Sequence, residues 1–137
     1  MMFPRIDKIF NRLAKFWCRL SESAVVPVRL VFIDVGFNSY QLSSMLIDKG
    51  LINVVAFIDE EPWSHLNEMN GGKLHYPSEL LAMVDRYDVK VVVKFKEQGW
   101  KPSLEALSAL SKRQVSYLLL NKEMSLAQQL DAVSQEL

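Results

Sequence analysis

The chain has 137 residues and a mass of 15.8 kDa, the size of one ordinary domain. Sixteen basic and sixteen acidic side chains cancel and half of the residues are hydrophobic, a globular rather than a disordered composition. The neutral balance lacks the basic field of a nucleic-acid binder, and no apolar run reaches the ~20 residues that span a bilayer. A single cysteine, Cys18, excludes an internal disulfide or a thiolate zinc cluster and fits a reducing compartment.

The cancellation hides an asymmetry. Residues 1–29 carry Arg5, Lys8, Arg12, Lys15, Arg19 and Arg29 against Asp7 and Glu22, a net +4, so residues 30–137 carry −4. Ile6, Ile9, Phe10, Leu13, Phe16, Trp17 and Leu20 recur at helical spacing, with the bases on the opposite side and Pro4 at the start. This basic amphipathic helix has three readings. It packs on its own domain, lies on an anionic membrane surface with its aromatics at the headgroups, or docks on a partner protein or a second copy of the chain. Cys18 borders the apolar stripe and reads as a buried thiol. Ser21 to Pro27 reads as a linker, which divides the chain into a helix and linker over 1–27 and a body over 28–137.

In the body, strand-like and helix-like segments alternate. Val28 to Asp34 predicts a buried strand, and Asn38 to Lys49 a helix capped by Asn38, with Gln41 completing a capping box and Gly50 ending it. Asn53 to Ile58 is a second strand, followed by a polar loop over Asp59 to Lys73 and a helix over Pro77 to Tyr87. Val89 to Val93 is a third strand, Pro102 to Lys112 a helix, and Val115 to Leu120 a fourth strand. Ser125 caps a last helix ending near Leu137. Near-continuous apolar strands alternating with helices predict an α/β domain: a Rossmann-like open parallel sheet of about four strands with helices on both faces.

Ligands of such sheets lie at the carboxyl ends of the strands. The first strand runs into Asp34-Val35-Gly36-Phe37-Asn38-Ser39. Aligned on the strand end, the three glycine places of a dinucleotide fingerprint hold Asp34, Gly36 and Ser39, so the loop is degenerate and its carboxylate lies where a diphosphate would. Asp59 follows Gly36 by 23 residues, near the spacing of an acid that accepts from a ribose hydroxyl, and Glu60 and Glu61 adjoin it. The predicted cofactor site is therefore Asp34, Gly36, Phe37, Asn38, Ser39, Asp59 and Glu60. His65 and His75 share a loop region with Asp59, Glu60, Glu61 and Glu68 and read as solvated histidines rather than metal ligands. Lys94-Phe95-Lys96, with Trp100 and Lys101, reads as a solvated loop with one anchored aromatic.

The strand with Gly36, the run Phe57-Ile58-Asp59-Glu60-Glu61-Pro62, the segment Asn70-Gly71-Gly72-Lys73-Leu74-His75-Tyr76-Pro77 leading into Ser78-Glu79-Leu80-Leu81, and the Val89 to Val93 strand carry a resemblance. Together they resemble the Rossmann-like, CoA-binding-like nucleotide-binding module that precedes the catalytic domain in nucleotide-sugar 4,6-dehydratases of polysaccharide biosynthesis. The resemblance implies a nucleotide or nucleotide-sugar ligand at the Gly36 and Asp59 strand ends and a cytoplasmic setting at the inner membrane surface. It does not carry the dehydratase chemistry. The catalytic domain is missing, and Tyr40, Tyr76, Tyr87 and Tyr117 are followed four residues on by Ser44, Leu80, Val91 and Asn121 rather than lysine.

The expectation is a non-catalytic, partly degenerate nucleotide-binding domain that senses or scaffolds, with NAD(P) or a nucleotide-sugar weakly held and no catalytic residue. Two other readings stand beside it: an enzyme subunit that borrows a partner's catalytic groups, and an interaction module with an empty crevice. Expected partners are a nucleotide, a membrane surface or protein met through residues 5–20, and a second copy of the chain, with no nucleic acid.

Overall fold

The computed structural model describes residues 27–61 and 65–137, so the basic helix, Cys18 and nearly all of the linker lie outside the described residues. Its strands are β1 (Val28–Ile33), β2 (Ile52–Ile58), β3 (Glu68–Met69), β4 (Gly72–His75), β5 (Val91–Phe95) and β6 (Ser116–Leu120). Its helices are α1 (Phe37–Asp48), α2 (Leu80–Tyr87), α3 (Leu104–Lys112) and α4 (Leu126–Glu136), with a 3-10 turn Pro77–Glu79 leading into α2. They form one sheet in the order β3-β4-β2-β1-β5-β6, parallel throughout except for the β3–β4 hairpin.

Successive side chains of a strand point to opposite faces, and here both faces are covered. On one face Leu30, Phe32, Phe57, Val93 and Phe95 meet Leu42 and Leu46 of α1 and Val133 of α4. On the other, Val31, Ile33, Ile58 and Val92 meet Leu80, Met83 and Val84 of α2 and Leu110 of α3. Phe32 and Phe57, paired across β1 and β2, stack at 5.7 Å. The α/β class and the parallel sheet match the expectation. The strand count does not, because the loop read over Asp59 to Lys73 contains a hairpin. Its turn residues Asn70 and Gly71 both have positive φ (49° and 84°), as a tight type I′ turn requires. The Asn70 amide also donates to Ser43 and Ser44 of α1 at 2.8 and 2.9 Å, which anchors the hairpin.

Helix ends follow local chemistry. After α1 the amides of Gly50 (φ 71°) and Leu51 donate to the carbonyls of Ile47 and Leu46, a Schellman ending that only glycine adopts cheaply. Ser103 accepts from the Ala106 amide at the start of α3, and Ser125 forms a capping box with Gln128 at the start of α4. The start of α1 departs from expectation. Gly36, not Asn38, occupies the cap position, and no side chain caps it. The chain has already turned at Asp34 (φ 88°), so the helix begins before Asn38 can act, and the Asn38–Gln41 capping box does not form.

Candidate functional site

From β1 the sheet grows outward to β2 and β4, and the chain then crosses back through α2 to place β5 on the other side of β1. The carboxyl ends of β1 and β5 thus flank the point where strand order reverses, the place where open α/β sheets hold ligands.

One irregularity sets which residues meet there. The β1–β2 register slips by one residue between Leu30 and Val31, so Ile33 pairs with Ile58 and the two strands end level. The Asp34 amide donates to the Ile58 carbonyl at 2.8 Å, and the Asp59 amide to the His75 carbonyl at 2.9 Å. The strand ends bearing Asp34 and Asp59 are therefore neighbours. Asp59 Oδ1 accepts weakly from the Glu61 amide at 3.4 Å, and Glu60 is exposed.

Gly36 is the surviving glycine of the loop, and its amide has a partner. Asp34 Oδ2 accepts from it at 3.1 Å. A Cβ at Gly36 would stand 2.8 Å from the same oxygen, so the close approach that a glycine grants to a ligand is used by the carboxylate. Phe37 is 72% exposed at the helix start. Asn38 donates to Gln98 Oε1 at 3.4 Å, which ties α1 to the loop after β5. Ser39 is fully buried and its hydroxyl finds no partner among the described residues. Ser39 stands at the position that the sequence aligns with the last glycine of the fingerprint.

The loop after β5 also packs on the site. A Cβ on Gly99 would lie 2.7 Å from Asp34 Cβ and 3.3 Å from its Cα. Lys94 corrects another expectation. It belongs to β5, pairs with Ile33, and is 4% exposed, because both flanking strands and the helices cover it. Its Nζ donates to the Phe95 carbonyl at 3.0 Å. Burial lowers its pKa, the Asp34 charge opposes that, and the Lys101 charge adds to it. Lys96 is exposed, and Trp100 packs against the α2–α3 side of the core.

The net lowering of Lys94 means that folding disfavours its ammonium. Below the lowered pKa that cost is present in full. As pH rises from there toward the ordinary value of the unfolded chain, stability is expected to increase. Replacing Lys94 with methionine, of similar shape and no charge, is expected to stabilise the domain by ~1 kcal/mol and to flatten that alkaline rise. Urea melts between neutral pH and the lysine range measure both.

The histidines were expected to be solvated, and the structure corrects this. His65 Nε2 lies 2.8 Å from Glu79 Oε1, and His75 Nδ1 lies 3.0 Å from Glu79 Oε2. His75 ends β4 and is mostly buried, while the His65 ring stacks on Tyr76 at 4.2 Å. Glu79, rather than Glu60, Glu61 or Glu68, is the carboxylate they share, and it also accepts from the Tyr76 amide at 2.9 Å. Partial burial pushes the Glu79 carboxyl up. The bonds from His75, the Tyr76 amide and His65, with the charge of His75, outweigh it and hold the group at about 2.

No family model matches the chain, and no curated protein does. Solved structures do. UDP-D-quinovosamine 4-dehydrogenase from Vibrio fischeri is 20% identical, with a TM-score of 0.55 over 69% of this chain and 78% of that one. RSP, a Rex-family repressor, is 12% identical, with a TM-score of 0.58 over 94% of this chain and 65% of that one. RSP in complex with β-NAD+ and operator DNA gives a TM-score of 0.57 at 12% identity, over 94% and 63%. The chain therefore spans somewhat less than two thirds of those repressor chains. At these identities the likeness establishes one thing, that the fold is Rossmann-like.

Proposed function

We propose that this domain binds a dinucleotide or a nucleotide-sugar weakly across the carboxyl ends of β1, β2 and β5, and acts by sensing or scaffolding rather than by catalysis. The observation that carries the proposal is the level ending of β1 and β2, which makes the strand ends that lead into Gly36 and Asp59 neighbours, with the reversal of strand order on the other side of β1. Asp59 is assigned the ribose hydroxyls, and the start of α1 with Gly36 the phosphate side. Asp34 is assigned the role of weakening that side, since its carboxylate holds the amide a phosphate would use. RSP, named with NAD+ and NADH, and a UDP-sugar dehydrogenase share this architecture, which supports both ligand classes. The resemblance to the polysaccharide-biosynthesis module favours the nucleotide-sugar and a place near the membrane. The net −4 of residues 30–137 is the wrong sign for a phosphate backbone and argues against DNA as the ligand of this crevice.

Thermal-shift measurements with NADH, NADPH, CoA and UDP-sugars test the reading. One of these at millimolar concentration is expected to raise Tm, and Asp59→Ala to abolish the rise while leaving the unliganded Tm nearly unchanged, because Asp59 lies at an open strand end. A rise that survives Asp59→Ala contradicts the assigned ribose contact. No rise with any of the ligands favours an interaction module whose crevice is closed by Asp34 and Gly99.

A further inference from the structure

The two histidines of the chain come from different segments, His65 from the loop after β2 and His75 from the end of β4, and both turn a ring nitrogen onto one carboxylate. We propose that His65, His75 and Glu79 form a binding site for one divalent transition-metal ion of the zinc class. One nitrogen from each histidine and an oxygen of Glu79 lie within 4.8 Å of one another, a spread that a small inward movement closes onto a single ion. Two imidazoles and a carboxylate are the ligand set of three-residue zinc sites, which leave a fourth position to water or to a ligand oxygen. Imidazole nitrogen selects zinc, cobalt or nickel over magnesium and calcium, which take oxygen.

The surroundings hold these ligands in place. The Leu66 amide donates to the Leu74 carbonyl at 2.7 Å, and the Leu74 amide to the Asn67 carbonyl at 2.8 Å. These bonds pin the chain just after His65 to the strand that ends in His75. The His65 ring is oriented by its stack on Tyr76, at an interplanar angle of 12°. Glu79 is fixed by the Tyr76 amide within the 3-10 turn. The two histidine rings stand nearly perpendicular, 84° apart, with their centroids at 5.9 Å. Side-chain exposures of 29% for His65, 11% for His75 and 33% for Glu79 leave an entry path while keeping most of the ligand surface out of water. On binding, each histidine carries its proton on the other ring nitrogen, so both enter as neutral ligands. The bound ion would tie the loop after β2 to β4 and to the turn that starts α2, at the same edge of the sheet as Asp59.

The test uses the full chain without an affinity tag, stripped with chelator and titrated with zinc chloride by calorimetry. One equivalent is expected to bind at micromolar or tighter affinity and to raise Tm. Cobalt chloride is expected to give the visible absorption of a four-coordinate ion, and magnesium chloride to give neither response. His65→Gln, His75→Ala and Glu79→Gln are each expected to weaken zinc binding at least tenfold. His65 lies in a loop, so His65→Gln decides the matter even if His75→Ala, in a strand, unfolds the domain. Absence of stoichiometric zinc binding by the wild-type chain, or binding unchanged in His65→Gln, overturns the proposal.

Discussion

Asp34→Gly is expected to tighten the binding of NADH or a UDP-sugar by about ten- to hundredfold, read by calorimetric titration of both proteins. The carboxylate now holds the Gly36 amide at 3.1 Å, in the turn where a diphosphate would approach the start of α1. Two like charges 4 Å apart repel by about 4 kcal/mol under near-surface screening, so a tenfold gain, about 1.4 kcal/mol, asks for only part of that repulsion. The variant also leaves the buried Lys94 without its nearby countercharge. Glycine suits the position because Asp34 already has a φ of 88°, where a side chain is unfavourable. Loss of the carboxylate's bond to Gly36 is expected to reduce stability by ~1 kcal/mol, so tighter binding comes with a less stable free protein. Unchanged affinity would mean that Asp34 does not limit the ligand.

Gly99→Ala is expected to destabilise the domain by roughly 2 kcal/mol in urea melts, a large effect for one methyl group on a surface loop. Two causes add. The φ of 75° disfavours any residue with a Cβ, and the added carbon would stand 2.7 Å from Asp34 Cβ. The near atoms at Asp34 include backbone, which cannot swing away as a long side chain would. If the loop lifts instead, Asn38 loses its bond to Gln98 and the crevice opens. A substitution without measurable cost would show that this loop does not press on Asp34.

Much of the fold was legible because the central strands β1, β2 and β5 are mostly buried on both faces and so are largely apolar. Val28–Ile33 and Ser116–Leu120 fall within or close to their predicted bounds, and the helix ends at Gly50 and Ser125 use local signals. The antiparallel hairpin escaped because β4 is four residues long and two of them are glycine and lysine, although Asn70-Gly71 is itself a strong hairpin signal. The β5 boundary slipped by two residues because a lysine inside a strand reads as the start of a loop. Lys94 is covered only once β1 and β6 flank it.

What the sequence offered of the candidate site depends on strand ends. Spacing singled out Gly36 and Asp59, and the level register makes the strands that lead to them neighbours. Its closure was not legible. The contact between Gly99 and Asp34 joins residues far apart in the chain, and no local pattern announces it. The same holds for Glu79. It stands four residues after His75, but across a strand-to-turn junction rather than along a helix, so that spacing carried no meaning until the chain was folded.

The most direct test of a nucleotide crevice at the reversal of strand order is a titration of NADH and of a UDP-sugar into the isotope-labelled full chain, followed by backbone amide NMR shifts. Saturable shifts concentrated at Gly36, Phe37 and Asp59, with smaller ones in the loop of Gln98 and Gly99, are the predicted result. Shifts that leave Gly36 and Asp59 unmoved while a different surface responds would contradict it.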